Sequence, residues 1–252
     1  MAERDAILQY LDELLQPATF ADYCPNGLQV PGRETVDRVV TGVSATLELF
    51  EAAAERDAGM VIAHHGIFWG GEPEALTPPR ARRLKLLLTN DINLAAYHLP
   101  LDAHAEAGNN ALLCAALGLA RAQAFGEYRG NTIGWIGNAA PAIGADELRD
   151  RIRRTTGREP LFFEHGPRQI ERVAIVSGGG AGNLDEAIAA GADAFITGEP
   201  SEPAMAASRE GGIHFAAAGH YATETFGVRR VGELLAERFG VEHEFVDLPN
   251  PV

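Results

Sequence analysis

Apolar residues fall in short runs, unbroken in MVIA at 60–63, VAIV at 173–176 and AFI at 194–196 and interrupted only briefly in VVTGV at 39–43, INLAA at 92–96 and IHFAAA at 213–218. Runs without regular polar alternation predict strands covered on both faces. The stretches between them carry helical spacing instead, as does the N-terminus, where Ile7, Leu8, Leu11, Leu14 and Leu15 mark one apolar stripe. The expectation is an α/β protein of layered, mostly parallel sheets.

The pattern is written twice. Segments 38–64 and 172–198 align without a gap: an apolar strand, a small-residue turn, an amphipathic helix, a glycine stop and a second apolar strand. Each is a βαβ unit. Each continues through another helical stretch into a third strand, INLAAY or IHFAAA, which leads to a histidine followed four residues later by a carboxylate: His98 with Asp102, and His220 with Glu224. Between the halves, YRGNTIGWIGNAAPAIG predicts a strand pair and ADELRDRIRRTT a helix ended by Gly157. The predicted organisation is two layered α/β lobes related by the internal repeat, residues 1–124 and 125–252, with a metal site between them. VEHEF predicts a closing strand that can return to the first lobe. Pro100 makes LPLD read as a loop, whereas the residues after Glu224 read as a helix.

The chemistry gathers at the strand ends, where α/β proteins place their sites. His64 and His65 follow MVIA, and the two histidine-carboxylate pairs follow the third strands. Adjacent residues on a strand face opposite ways, so His64 and His65 serve one ion poorly and two ions well. Glu224 and Asp102 are the carboxylates able to bridge such ions. His98 has three roles open to it: ligand, orienting group or proton donor. His104 reads as a solvated loop residue, and His165, His214 and His243 as structural. The glycine-rich turn 178–182 offers backbone N–H groups, but it lacks the Lys-Ser/Thr of a P-loop and has Asn183 where GxGxxG needs glycine. It reads as a tight turn or as a phosphate cradle.

Composition narrows the partners. Asp plus Glu number 35 against 21 Lys plus Arg, a net charge of −14, which leaves no basic face for a nucleic-acid backbone and argues against a DNA-enclosing ring. The two cysteines, Cys24 and Cys114, have no paired spacing, which argues against a disulfide scaffold and a sulfur-ligated metal and, with the charged N-terminus, leads to the expectation of a reducing, cytoplasmic compartment. No signal-peptide core and no membrane-length apolar run is present. Imidazole and carboxylate ligands suit two divalent ions from among Fe, Mn, Zn, Co and Ni.

Taken in order, YCPNGLQV, GVSAT, AHHGIFWGG, DINLAAYHLPLDAH, GNN, SGGGAG, DAFITGE and GHYATETFGV resemble the bacterial YbgI family, the Nif-three-like dinuclear metal proteins known as GTP cyclohydrolase I type 2 homologues. The resemblance covers essentially the whole chain. It implies a toroidal homohexamer of two-lobed subunits with a dinuclear centre whose metal ligands are His64, His65, Asp102, His220 and Glu224, with His98 close by. The chemistry these residues permit is metal-dependent hydrolysis of a small nucleotide-like or phosphorylated anion, with Glu224 and His98 as the candidate catalytic residues. Tyr23, Asn26, Trp69, Asn109 and Glu199 are further candidates to line its pocket. The alternative is a metal-storage or ring-shaped interaction protein without turnover.

Overall fold

The computed structural model describes every residue except Glu72 and Glu74. The chain forms two compact units, residues 1–101 with 227–248, and residues 102–226 with 249–252.

In the first unit, Ala2–Glu3 (β1) leads into helix α1 (Arg4–Leu15), whose Ile7, Leu11 and Leu15 are buried. After β2 (Gly27–Val30) and the short β3 (Thr35–Val36), which pairs with β1, comes the βαβ unit predicted from sequence. It consists of β4 (Arg38–Ser44), α2 (Leu47–Glu55) and β5 (Met60–His65). Thr46 starts α2 by accepting the Leu49 N–H, the side-chain cap that replaces a missing helical acceptor. Helix α3 (Pro78–Thr89) then returns the chain to β6 (Asn93–Ala96). The five-stranded sheet runs C-terminal strand (Glu242–Phe245), β4, β5, β6, β2, with only β2 antiparallel to its neighbour. Val40, Val61 and Leu94 pack with Leu49, Phe50, Ala53 and Leu87 in its core.

The second unit begins at Asp102, inside the short helix α4 (Leu99–Ala103). The sequence reads LPLD as a loop, but Pro100 lies in the first helical turn, where a missing N–H costs nothing. Helix α5 (Asn109–Ala116) packs on the hairpin of β7 (Ala120–Tyr128) and β8 (Asn131–Ile143). Arg129 and Gly130 turn that hairpin with φ of 48° and 87°, the two positive values that a type I′ turn requires. The division at 101/102 thus differs from the sequence reading of 124/125. Residues 102–124 are tied by helix packing and strand pairing to β8.

Helix α6 (Ala145–Thr156), capped by Gly157 at φ 73°, leads to β9 (Leu161–Phe163) and β10 (Ile170–Val176). A 3₁₀ turn and α7 (Leu184–Ala189) connect to β11 (Ala194–Thr197), and α8 (Ala204–Gly211) connects to β12 (His214–Ala217). The sheet order is β7, β8, β10, β11, β12, β9. Its parallel part is β10, β11 and β12; the hairpin and β9 join antiparallel, so this sheet is mixed and not mostly parallel. The repeat extends to the strand register. Val39 lies opposite Met60 and Met60 opposite Asn93, as Val173 lies opposite Ala194 and Ala194 opposite His214. The one-turn helix α9 (His220–Thr223) follows β12, and α10 (Thr225–Phe239) carries the chain back to the first unit. Among the described residues no helix is long and apolar enough to cross a membrane.

His243, on the C-terminal strand, bonds through Nε2 to the Thr41 hydroxyl at 2.9 Å and lies where a side chain on Gly232 would collide with it. Burial lowers its pKa below the ordinary histidine value, against the opposing pull of Glu233 and Glu244. A ring kept neutral by folding binds fewer protons folded than unfolded. Its stabilising contribution is therefore fully present above the unfolded pKa of about 6.5 and is lost as pH falls below it through the lower folded value. Thermal denaturation followed from about pH 8 down to about pH 5.5 should show a shallower loss of stability in His243→Gln than in the parent; equal slopes would show that another group governs it.

Candidate metal centre

Three imidazoles meet in the first unit. His64 and His65 end β5, and His98 follows β6; one nitrogen of each lies within 4.8 Å of the others. The rings of His64 and His65 are 4.7 Å apart between centroids. The opposite-face rule does not separate them, because the strand ends at His65 and the chain turns at Gly66. Each ring is tied at Nδ1. His64 Nδ1 is 3.0 Å from the Tyr97 carbonyl, His65 Nδ1 is 3.0 Å from the Ser44 hydroxyl, and His98 Nδ1 is 2.9 Å from Asp22. A carbonyl and a carboxylate can only accept, so the neutral rings of His64 and His98 carry their proton on Nδ1 and present Nε2 as a lone pair. A side chain at Gly66 would displace the Gln29 amide, whose Oε1 accepts the Ile67 N–H.

The second unit holds the carboxylates. His220 opens α9 and Glu224 follows it, with His220 Nε2 3.1 Å from Glu224 Oε2. Glu199 holds the His220 Nδ1, repeating the arrangement of the first unit. Burial alone would lower the His220 pKa, but the hydrogen bonds and charges of Glu224 and Glu199 raise it to about 9. Asp102 accepts from Asn109 Nδ2 at 2.9 Å and from the Ser177 hydroxyl at 3.2 Å, both on Oδ1. Asn110 braces the same corner, accepting the Ser177 N–H at 2.7 Å and donating to the Ile133 carbonyl at 2.8 Å. Carboxylate oxygens of Asp102 and Glu224 approach within 4.8 Å although these residues are only 5% and 2% exposed. Two buried carboxylates at that separation repel unless a cation or a proton accompanies them.

These donors fit divalent ions. They are imidazole nitrogens and carboxylate oxygens, positioned by neighbours that fix tautomer and aim. The cysteines take no part: burial raises both thiols to about 11, and Cys114 belongs to the apolar core of the second unit.

Of the remaining sequence candidates, Asn26 accepts the His98 N–H at 2.7 Å, and the rings of Tyr23 and Trp69 stand edge-on to the His98 ring with centroids 5.2 and 5.3 Å away. His104 caps a turn, its Nδ1 accepting the N–H groups of Glu106 and Ala107. His165 bonds to Ser208, and His214 lies between the Gly166 N–H and the Pro167 carbonyl. Ser44, Ser177 and Asn110 lie within the family-like motifs GVSAT, SGGGAG and GNN but carried no individual role, and Asp22 lies outside every motif. Each acts through a partner far along the chain, so no local spacing marks it.

The glycine turn has a steric purpose. Gly178, at φ 62°, is pressed against Glu224 and His220, and its carbonyl accepts from Gly198 N–H, Glu199 N–H and the Thr197 hydroxyl. Its own N–H donates to Thr223 of α9 at 3.1 Å. A side chain on Gly178 would occupy the place of the Glu224 carboxylate, whereas one on Gly182 would meet nothing within 4 Å. Gly178→Ala should therefore lower bound metal, measured by elemental analysis, by roughly tenfold or more, as expected for a displaced ligand, and Gly182→Ala should leave it unchanged. Equal metal content in the two variants would refute this account.

Relatives match along the whole chain. The model of the family Duf34/NIF3 (NGG1p interacting factor 3) matches residues 2–251. A relative from Pseudomonas aeruginosa, called GTP cyclohydrolase 1 type 2 homolog, is 46% identical over 97% of both chains, and one of the same name from Escherichia coli is 46% identical over 96% of this chain and 97% of its own. A solved structure described as protein ybgI, of unknown function, covers 100% of both chains at 44% identity with a TM-score of 0.95. A crystal structure of a protein from Thermus thermophilus does so at 38% identity with a TM-score of 0.89. The chain belongs to the Duf34/NIF3 family.

Proposed function

We propose that this chain is a metal-dependent hydrolase of a small nucleotide-like or phosphorylated substrate, using two divalent ions held by His64, His65, Asp102, His220 and Glu224. The observation that carries this reading is the tying of imidazoles at Nδ1, to Tyr97, Ser44 and Asp22 in one unit and to Glu199 in the other. Such anchoring raises the basicity of the opposite nitrogen and fixes its direction. Divalent ions on these donors would supply an activated water and neutralise an anionic substrate. Glu224 and Asp102, buried close together, would supply the carboxylate ligands. His98 is the proton-transfer group, its Nε2 lone pair directed to the imidazole cluster. Tyr23 and Trp69, tilted against each other with centroids 5.4 Å apart, offer apolar surface to a planar substrate ring. The name shared by the bacterial relatives supports a nucleotide-like substrate.

A storage or delivery protein is the competing reading, and it requires ligands that let go. His64 is fully buried and Glu224 is 2% exposed, which favours retention. The family resemblance further supports a toroidal hexamer, for which analytical ultracentrifugation should give six times the 26.9 kDa chain mass; a monomer or dimer would remove that part of the proposal.

The deciding experiment is elemental analysis of the parent and Glu224→Ala, followed by assay of the metal-loaded proteins with GTP and bis(p-nitrophenyl) phosphate. The parent should hold about two ions per chain and turn over one of the probes. Glu224→Ala should lose metal and lower kcat/KM by about 100-fold or more while remaining folded by circular dichroism. A parent without metal ends the proposal; so does undiminished turnover after the metal is removed.

A further inference from the structure

Asp22 is a carboxylate with 2% of its side chain exposed and four N–H donors on two oxygens. Oδ1 accepts from the Cys24 N–H at 3.0 Å and from His98 Nδ1 at 2.9 Å; Oδ2 accepts from Asn26 Nδ2 and from the Leu99 N–H, each at 3.0 Å. Asn26 in turn accepts the His98 N–H through Oδ1. His98 is therefore held by backbone and ring at once. Its ring is clamped edge-on by Tyr23 and Trp69 and stands 5.0 Å from the His64 ring between centroids.

We propose that Asp22 is the positioning residue of this centre: it locks His98 in the tautomer protonated at Nδ1 and so keeps Nε2 available as a proton acceptor. The inference rests on the reading of His98 as the proton-transfer group. Neither sequence spacing nor a ligand count identifies Asp22, which touches none of the five assigned metal ligands among its bonded partners.

The donor pattern explains why a carboxylate is needed. Asparagine has one accepting oxygen and one NH₂, so it must turn the NH₂ toward one pair of donors. Facing Oδ2's partners, the NH₂ meets two donors that cannot change: Leu99 is backbone, and Asn26 can flip only by giving up the His98 N–H. Facing Oδ1's partners, it meets one fixed donor, Cys24, and one group that can reverse its role, the His98 imidazole. The second orientation leaves fewer donors opposed. It makes His98 Nδ1 an acceptor and moves the ring proton to Nε2. Asp22→Asn, a change of one atom's identity, is thus expected to close the nitrogen on which proton transfer depends.

The test reads the ring proton directly, by nitrogen NMR of isotopically labelled histidine in the full chain, chelator-treated, at about pH 8 where free imidazole is neutral. His98→Gln identifies the resonance. The parent should carry the His98 proton on Nδ1, and Asp22→Asn should carry it on Nε2, with the Nδ1-protonated form reduced by roughly tenfold or more, as loss of one charge-assisted bond requires. A parent protonated at Nε2 overturns the inference without any variant, so it stays decidable even if Asp22→Asn does not fold. A folded Asp22→Asn protein that retains the Nδ1 proton overturns it as well. Because the tautomer is read in metal-free protein, its outcome is separate from the turnover of the loaded protein, which decides the hydrolase reading.

Discussion

An imidazole can offer a lone pair in a chosen direction only when its other nitrogen is held, and this chain spends much of its buried polarity on holding four of them. The anchors differ in kind: a backbone carbonyl for His64, a hydroxyl for His65, and carboxylates for His98 and His220. The Tyr97 carbonyl and the Asp22 carboxylate admit one tautomer of the neutral ring, while the Ser44 hydroxyl can donate or accept and leaves His65 less strictly set. Rotamer entropy is surrendered during folding and need not be surrendered again when a ligand arrives. The backbone amides of Cys24 and Leu99 are satisfied by the Asp22 side chain that orients His98, so folding and orientation of the site share the same bonds.

The carboxylates impose the complementary constraint, which is space. Asp102 and Glu224 are buried close together, and the chain gives way to them at glycine. Gly178 lies against the Glu224 carboxylate, and Gly198 lies against Gly178 and the backbone of His220. The first repeat has Ser44 and His64 at the corresponding places of the ungapped alignment, and there the strand ends carry side chains that hydrogen-bond. One βαβ frame has therefore been filled in two ways, with polar side chains on the strand end in one copy and with close backbone approach in the other.

This difference explains what the sequence disclosed and what it hid. The repeat was legible because doubly covered strands demand unbroken apolar runs, and its register follows, Val39 opposite Met60 as Val173 is opposite Ala194. The imidazoles and carboxylates were legible because each follows such a strand. Hidden were features set by distant partners: the pairing of β2 and β9 as antiparallel edges, the attachment of residues 102–124 to β8, and the roles of Asp22, Ser44 and Ser177. Asp22 and His98 are 76 residues apart, and no local period connects them. Pro100 reads as a helix breaker, yet its position in the first turn of α4 makes it harmless. Equal spacing in the two histidine-carboxylate pairs also concealed a shift. His98 lies two residues beyond β6 and His220 three beyond β12, the added residue being Gly219 at φ 100°.

The physical properties that separate a catalyst from a metal carrier also bear on this centre. Delivery requires that ligands detach one after another, which favours exposed side chains with freedom to rotate. Here His64, His98, Asp102 and Glu224 are at most 6% exposed, and rotating His64 or His98 away would break an Nδ1 bond inside a medium that offers no replacement. The same rigidity favours chemistry, because donors already aimed at a reacting group need no reorganisation when charge develops. His98 sharpens the distinction. A carrier gains nothing from a buried Asp-His pair whose second nitrogen is kept as an acceptor beside other imidazoles, whereas a hydrolase needs such a group to move a proton. The arrangement of Asp22 and His98 is thus the feature that most favours turnover over storage.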